Sequence, residues 1–262
     1  MALFTLSLIA LTFLGIYLTY IRLRFILNPN RKKPIRHGRR NPHEPTHLLI
    51  VLGSGGHTAE MLSMLERAVT DKDPAKRLDW KDYTHRTWVV GAGDSISASR
   101  AKEFEEMAVE LSTQDMLMVG KVKRATDLGP GTYDVHVVPR AREIHQSLAS
   151  APVSSLQCLL ACCGVLNKGF QNGHDFPDIV LVNGPATGTI MVLATVVFRF
   201  FNLKGCLTRF RMRTVHVESF ARVKTLSLSG KLLERFTDRF LVQWPQLQRT
   251  TAGRGQYLGV LV

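Results

Sequence analysis

The amino-acid sequence predicts an α/β protein: one domain built on a parallel sheet, behind a single N-terminal transmembrane helix. Three observations predict it. After residue 46, short apolar runs alternate with helical segments, a pattern that yields a parallel sheet with helices on both faces. The first run, HLLIVL at 47–52, is apolar throughout, as expected of a strand covered on both sides, and it stops at the glycine-rich GSGGHT. Finally, Met1 to Ile21 carries no charged side chain, and about 20 helical residues cross a hydrocarbon layer.

The anchor comes first in the chain. Residues 1–40 hold eight basic residues (Arg22, Arg24, Arg31, Lys32, Lys33, Arg36, Arg39, Arg40) and no acid, so they supply eight of the thirteen net positive charges. The pI therefore says little about the main domain, and it gives no reason to expect a nucleic-acid partner. A cleaved secretory signal needs its basic residues before the apolar core, whereas here they follow it. Such a flank stays in the cytosol, which leaves a short N-terminus across the membrane. The expected divisions are a transmembrane anchor at 1–24, a basic cytosolic linker at 25–45 and an α/β domain at 46–262. The linker is rich in Pro and Arg and lacks periodicity.

Within the domain, strands are expected at 47–52, 87–93, 133–140, 178–184, 214–219 and 239–244. Helices are expected near 57–69, 97–111, 141–166, 186–201 and 229–237, with right-handed crossovers. The stretch 112–132 has no clear period and reads as a loop. GTIMVLATVVF is too short to span a membrane, and Phe198, Phe200 and Phe201 around Arg199 leave open a face that rests on one. The terminal YLGVLV is either a last strand or a docking tail. Cys158, Cys162, Cys163 and Cys206 include no CxxC pair, so buried free thiols in a reducing compartment are expected and no metal site. No cofactor is implied.

Ligands of doubly wound sheets bind at the carboxyl ends of the strands. Gly53, Ser54, Gly55, Gly56 and Thr58 form a loop whose backbone N–H groups can approach an anion at a helix N-terminus. It is not a Walker loop, since no Gly-Lys-Ser/Thr follows. Thr58 also breaks the dinucleotide fingerprint, and Asp94, the acid at the second strand end, comes far later than the fingerprint requires, which argues against a reductase. His57 opens the helix, and the positive helix end biases its imidazole toward the neutral form. It can serve as a general base or simply hold a turn. Asp94 and Ser95 can touch a ligand or cap a helix. Arg140 ends the third strand, Asn183 and Gly184 the fourth, Glu218 and Ser219 the fifth. Trp244 precedes Pro245, which forces an extended exit.

Taken in order, GSGGHT, PRAREI, VNGPATG, VESFARVKTLSLSGKL, VQWPQL and YLGVLV are more specific than any one of them. From about residue 46 to the C-terminus the chain resembles the membrane-anchor subunit of the eukaryotic two-subunit UDP-N-acetylglucosamine transferase of dolichol-linked oligosaccharide assembly. The resemblance implies a Rossmann-like domain equivalent to the N-terminal half of a GT-B glycosyltransferase. It also implies transfer of N-acetylglucosamine from UDP-GlcNAc to dolichyl-diphosphate-GlcNAc on the cytosolic face of the endoplasmic reticulum membrane, in protein N-glycosylation.

By that resemblance a separate soluble subunit binds the donor and this chain binds the lipid-linked acceptor, being inactive alone. The loop from Gly53 to Thr58 would then cradle the acceptor diphosphate, with Arg140, Asn183 and Gly184 beside it. His57 or Glu218 would take the acceptor proton. GAGDSISASR fits the family only loosely. The rival expectation is a pure scaffold that recruits the catalytic subunit and holds no reacting group.

Overall fold

The computed structural model describes residues 2–28, 46–73, 76–118, 131–142, 146, 150–171, 174–184 and 186–262. Most of the basic linker, and 119–130 of the expected loop, lie outside the described residues. Helix α1 runs Ala2–Ile26. There follow β1 His47–Val51, α2 Gly56–Val69, β2 His85–Gly91, α3 Ser95–Met118, β3 Thr132–Val138, α4 Ala151–Gln171, β4 Ile179–Asn183 and α5 Thr187–Phe201. The chain closes with β5 Arg213–Val217, α6 Leu228–Leu233, β6 Arg239–Val242, α7 Pro245–Thr250 and β7 Gly255–Tyr257.

The strands form one sheet in the order β3-β2-β1-β4-β5-β6-β7, and every neighbouring pair is parallel. The winding reverses between β1 and β4, which opens a crevice at their carboxyl ends. The pleat divides β1 between two cores. Leu48 and Ile50 pack with Met61, Leu65, Trp88 and Phe104 toward α2 and α3. Leu49 and Val51 pack with Val182, Met191 and Phe198 toward α4 and α5. Full burial of each such side chain contributes about 1.5–3 kcal/mol. Glu105, on α3, is fully buried. It accepts from Trp80 Nε1 (3.1 Å), Trp88 Nε1 (2.7 Å) and Arg86, tying β2 to α3.

Boundaries differ from expectation in physically clear ways. Asp94 caps α3, its carboxylate accepting from Ser97 N at 3.1 Å, so the helix starts two residues earlier than expected. Met118 extends that helix into the expected loop. Helix α4 begins at Ala151 rather than 141, with Pro152 in its first turn, where a missing N–H costs nothing. Pro245 opens α7 in the same way, and Trp244 before it is extended (φ −129°, ψ 134°) as expected. Of YLGVLV only Tyr257 lies in a strand. Beyond it, Leu261 N donates to Gln243 Oε1 (3.2 Å), and Arg67 donates to the Val260 and Val262 carbonyls.

Helix α1 runs on past residue 24, the expected end of the anchor, to Ile26. Its last turn docks on the domain, with Ile26 buried among Val196, Leu207, Leu23 and Phe200. Arg22 Nε donates to Phe200 O (2.9 Å), Arg199 Nη2 to Ile26 O (3.0 Å) and Arg254 Nη2 to Leu27 O (3.1 Å). Helix C-termini leave carbonyls without intrahelical partners, and here guanidinium groups of the domain satisfy two of them. Residues 25–27, expected in the linker, therefore belong to α1 and its seat on the domain.

Candidate functional site

The site is assembled where β1, β4 and β5 end. Beyond Val51 the chain must turn into α2 with little room, because Gly53 and Gly184 both press on His57. A Cβ on Gly53 would sit 2.8 Å from His57 Cβ, and one on Gly184 2.8 Å from His57 Cγ. Gly184 has φ +102° and Gly55 φ +60°, conformations that side chains disfavour. Gly56 has neither a close neighbour nor a positive φ. Ser54, Gly55 and Gly56 are exposed, whereas Thr58 is buried. The Thr58 hydroxyl closes the loop on Gly53 O and meets Ser97 Oγ at 2.7 Å, and Ser97 Oγ in turn donates to Asp94 Oδ2 (2.7 Å). Thr58 thus braces the loop from beneath. Asp94 and Ser97 serve that brace as well as the helix cap.

Above the brace lies a connected polar network. His57 Nδ1 donates to Asn183 Oδ1 (3.3 Å) and lies 3.8 Å from Glu60 Oε2. Asn183 Nδ2 donates to Glu60 Oε2 (3.1 Å), and Ser219 Oγ donates to Glu60 Oε1 (2.8 Å). Glu218 continues it: its Oε1 accepts from Ser219 N (3.2 Å) and its Oε2 from Ser227 Oγ (3.2 Å). Ser227 is also the cap of α6, accepting from Gly230 N at 2.8 Å. A side chain on Gly230 would run into the Glu218 carboxylate. Gln243 Nε2 holds Glu218 O at 3.1 Å.

Electrostatics distinguish the three acids and bases. His57 has its pKa raised above the ordinary value, chiefly by its Glu60 partner, with burial opposing. Burial pushes Glu60 up, but hydrogen bonds from His57, Ser219 and Asn183 outweigh it and hold the carboxylate below its usual range. Glu218 is only 1% exposed, and that burial raises its pKa against the Ser227 and Ser219 hydrogen bonds. The neutral bias expected for His57 is therefore corrected. The helix end acts against the imidazolium, but a carboxylate one turn along the same helix outweighs it. His57, about 30% exposed, is the titratable member that faces solvent.

Of the residues expected from sequence, Gly53, His57, Asn183 and Gly184 meet directly, and Glu218 joins through Ser219 and Glu60. Arg140 stands apart just beyond the end of β3, a strand two places from β1, with its Nε on Ala92 O at 2.8 Å. Among the described residues no hydrogen bond or ion pair links it to His57. Glu60 and Ser227 were not expected, although the three-residue spacing from His57 to Glu60 places both on one helix face. Trp244 Nε1 donates to Phe220 O (2.7 Å) and its ring lies 5.0 Å from that of Phe220, shaping the neighbouring strand end. Among the described residues no group of His, Cys, Asp and Glu is arranged to hold a metal ion.

The family model described as oligosaccharide biosynthesis protein Alg14 like matches residues 48–261, from the second residue of β1 through the tail. The chain belongs to the Alg14 family. An Aspergillus fumigatus family member named UDP-N-acetylglucosamine transferase subunit alg14 is 39% identical, over 77% of this chain and 100% of that protein. The Schizosaccharomyces pombe protein of the same name is 35% identical over 88% of this chain and 90% of its own. The Homo sapiens protein named UDP-N-acetylglucosamine transferase subunit ALG14 is 29% identical over 84% and 85%. Among solved structures, a UDP-N-acetylglucosamine 2-epimerase aligns at TM-score 0.41 and 15% identity, over 79% of this chain and 44% of that one. The chain thus spans less than half the length of that structure.

Proposed function

We propose that this chain is the membrane-anchored, acceptor-binding subunit of a UDP-GlcNAc transferase. The reaction is addition of N-acetylglucosamine to dolichyl-diphosphate-GlcNAc, giving GlcNAc2-PP-dolichol, at the cytosolic face of the endoplasmic reticulum membrane. Family membership and the names of the relatives support the class of reaction. α1 is long and apolar enough to cross a bilayer, which supports the anchor. The donor-binding half comes from a soluble partner subunit, since one sheet supplies one wall of a GT-B cleft.

The observation that carries the reading is the placement of His57. It is the solvent-facing end of the network, beside a glycine loop and a helix N-terminus at the switch point between β1 and β4. Loop N–H groups and the helix end favour the acceptor diphosphate. The acceptor 4-hydroxyl attacks the donor anomeric carbon, the bond to UDP breaks, and the hydroxyl proton passes to neutral His57 Nε2. Asn183 and Glu60 fix the ring through Nδ1 and stabilise the imidazolium that results. Glu218, buried and held by Ser219 and Ser227, positions the β5 end and α6.

The test is transfer by the complex in membranes with His57→Ala. A loss of about 10²-fold or more with partner binding intact is expected of an acid–base group. Unchanged transfer would favour a scaffold that only recruits the catalytic subunit.

A further inference from the structure

The sequence leaves open which edge of the sheet faces the bilayer. The docking of α1 bears on it directly. Arg22 on α1 meets Phe200 O at the last turn of α5, and Ile26 packs on Val196 one turn earlier in α5. The anchor therefore arrives at the end of α5 that lies beside the amino ends of the strands. There the chain passes from α5 through residues 202–212 to β5, exposing Phe201 (66%), Leu203 (40%) and Phe210 (45%).

This connection is well held. Asn202 Oδ1 accepts from Leu207 N (2.9 Å) and Thr208 N (3.2 Å). Arg209 pairs with Asp175 at 2.5 Å, and Arg211 pairs with Asp178. Asn202, Lys204, Phe210 and Met212 all have positive φ (49°, 48°, 57° and 60°), an uncommon conformation for residues other than glycine. A strained but fixed backbone thus presents three apolar side chains outward; exposed Lys204 lies in the same connection, its Nζ on Asn167 Oδ1 at 3.0 Å, and exposed Arg24 and Arg235 lie by the end of α1.

We propose that this patch is a second membrane contact. Phe201, Leu203 and Phe210 enter the headgroup boundary of an anionic leaflet, and Arg24, Lys204 and Arg235 meet its lipid phosphates. The bilayer is the occupant because the patch is continuous with the apolar helix that crosses it. If Ala2 to Ile21 fill the hydrocarbon, Arg22 lies at its cytosolic boundary, and Arg22 is bonded to the residue before Phe201. Aromatic and leucine side chains with cations nearby are what such a boundary accepts. The glycine loop lies at the other end of α5, whose 15 residues span about 22 Å. A lipid-linked acceptor reaches His57 only with α5 leaning toward the membrane surface, and insertion of Phe201 and Phe210 would set that lean.

The inference rests on α1 being a span, so resistance of the full chain to alkaline carbonate extraction is read first. Release of the chain would overturn both readings. The full chain is then placed in phosphatidylcholine vesicles containing one-fifth phosphatidylserine, with Cys163→Ser and an environment-sensitive dye on Leu203→Cys or Phe210→Cys. Val137→Cys, on the exposed edge strand, is the reference. Expected is quenching of both patch dyes by a lipid nitroxide near the headgroups, with protection from aqueous iodide that the reference dye lacks. Phe201→Asp should leave the chain carbonate-resistant and reduce the lipid quenching at Leu203→Cys. If the patch dyes respond to iodide like the reference, or are shielded only when another protein is added, the membrane contact is refuted while the span stands.

Discussion

Substitution of Gly184 by Ala tests the site most directly, because two independent features of the structure make glycine necessary there. The residue has φ +102°, and an added Cβ would lie 2.8 Å from His57 Cγ and 3.2 Å from its Cβ. Backbone strain of this kind costs about 1–3 kcal/mol. The clash must be relieved by moving the imidazole, since the Gly184 backbone continues from β4. Restoring ordinary contact needs a shift of roughly 0.7 Å, enough to break the 3.3 Å bond from His57 Nδ1 to Asn183. Misplacement of a reacting group by about 1 Å can cost about 10²-fold in rate. Transfer should therefore fall by about 10–100-fold, and the midpoint of thermal unfolding by a few degrees, at about 2–4 °C per kcal/mol for a chain of this size. Gly188→Ala is the control: it lies in α5 with normal φ, and its Cβ would make ordinary contact, 3.4 Å from Val182 Cβ. It should keep transfer and stability. Wild-type transfer by Gly184→Ala in membranes containing both subunits would refute the role given to His57 and its seat.

Other expectations follow from single residues. Gly55→Val should abolish acceptor use in the membrane transfer assay, whereas Gly56→Val should be milder, because only Gly55 has a positive φ. Glu60→Gln removes the partner that raises the pKa of His57, so the pH at which His57 loses its proton should move down when followed by ring NMR signals. An unmoved titration would rule out the pair. His216 is fully buried beside Phe240 and neither ring nitrogen has a hydrogen-bond partner among the described residues, and burial lowers its pKa to about 3 from 6.5. The unfolded chain then binds the extra proton, and stability falls as pH drops below 6.5. At pH 5 the loss is about 2 kcal/mol. His216→Phe should cancel it in denaturant titrations at pH 5 and change little at pH 7.5. A glycosylation acceptor engineered into 119–130 should stay unmodified if the domain is cytosolic.

The sheet is largely legible in the sequence because buried parallel strands are apolar runs, as in β1, β4 and β6, while β5 shows only as valines alternating with Thr214 and His216. Two helix starts are not, although Pro152 and Pro245 stand at them, because a proline beside an apolar segment can either end a helix or occupy its first turn. β7 escaped because Gly255, Gln256 and Tyr257 carry no apolar pattern and are ordered by pairing with β6. At the site, each glycine turn was visible at a strand end, but its closure by Thr58 and Ser97 depends on a neighbouring helix. The direction of the His57 pKa shift is not legible for a related reason. The helix-end effect can be read from one position, whereas Glu60 becomes decisive only when Ser219 and Asn183, from β5 and β4, fix its carboxylate.

Arg199 shows how the same residue can point to the membrane by the wrong route. Between Phe198 and Phe200 it suggests the rim of a lipid-facing surface. In the fold it is 1% exposed, with Nη1 2.8 Å and Nη2 3.0 Å from the two Asp238 oxygens. A buried guanidinium is tolerable only with its charge matched, and removing one partner of such a pair costs about 3–5 kcal/mol. Asp238 also accepts from Thr214 N and Oγ1, at 3.0 and 3.2 Å. The pair therefore joins α5 to the start of β5, the strand that carries Glu218 at its far end. Because Arg199 also donates to Ile26 O, the last carbonyl of α1 is wired into the sheet. Arg199 is therefore not the rim of an exposed face, and what it contributes to is the seat of α1. Arg199 faces inward and fixes the end of α1, and Phe201, two residues on, is exposed beside that helix end.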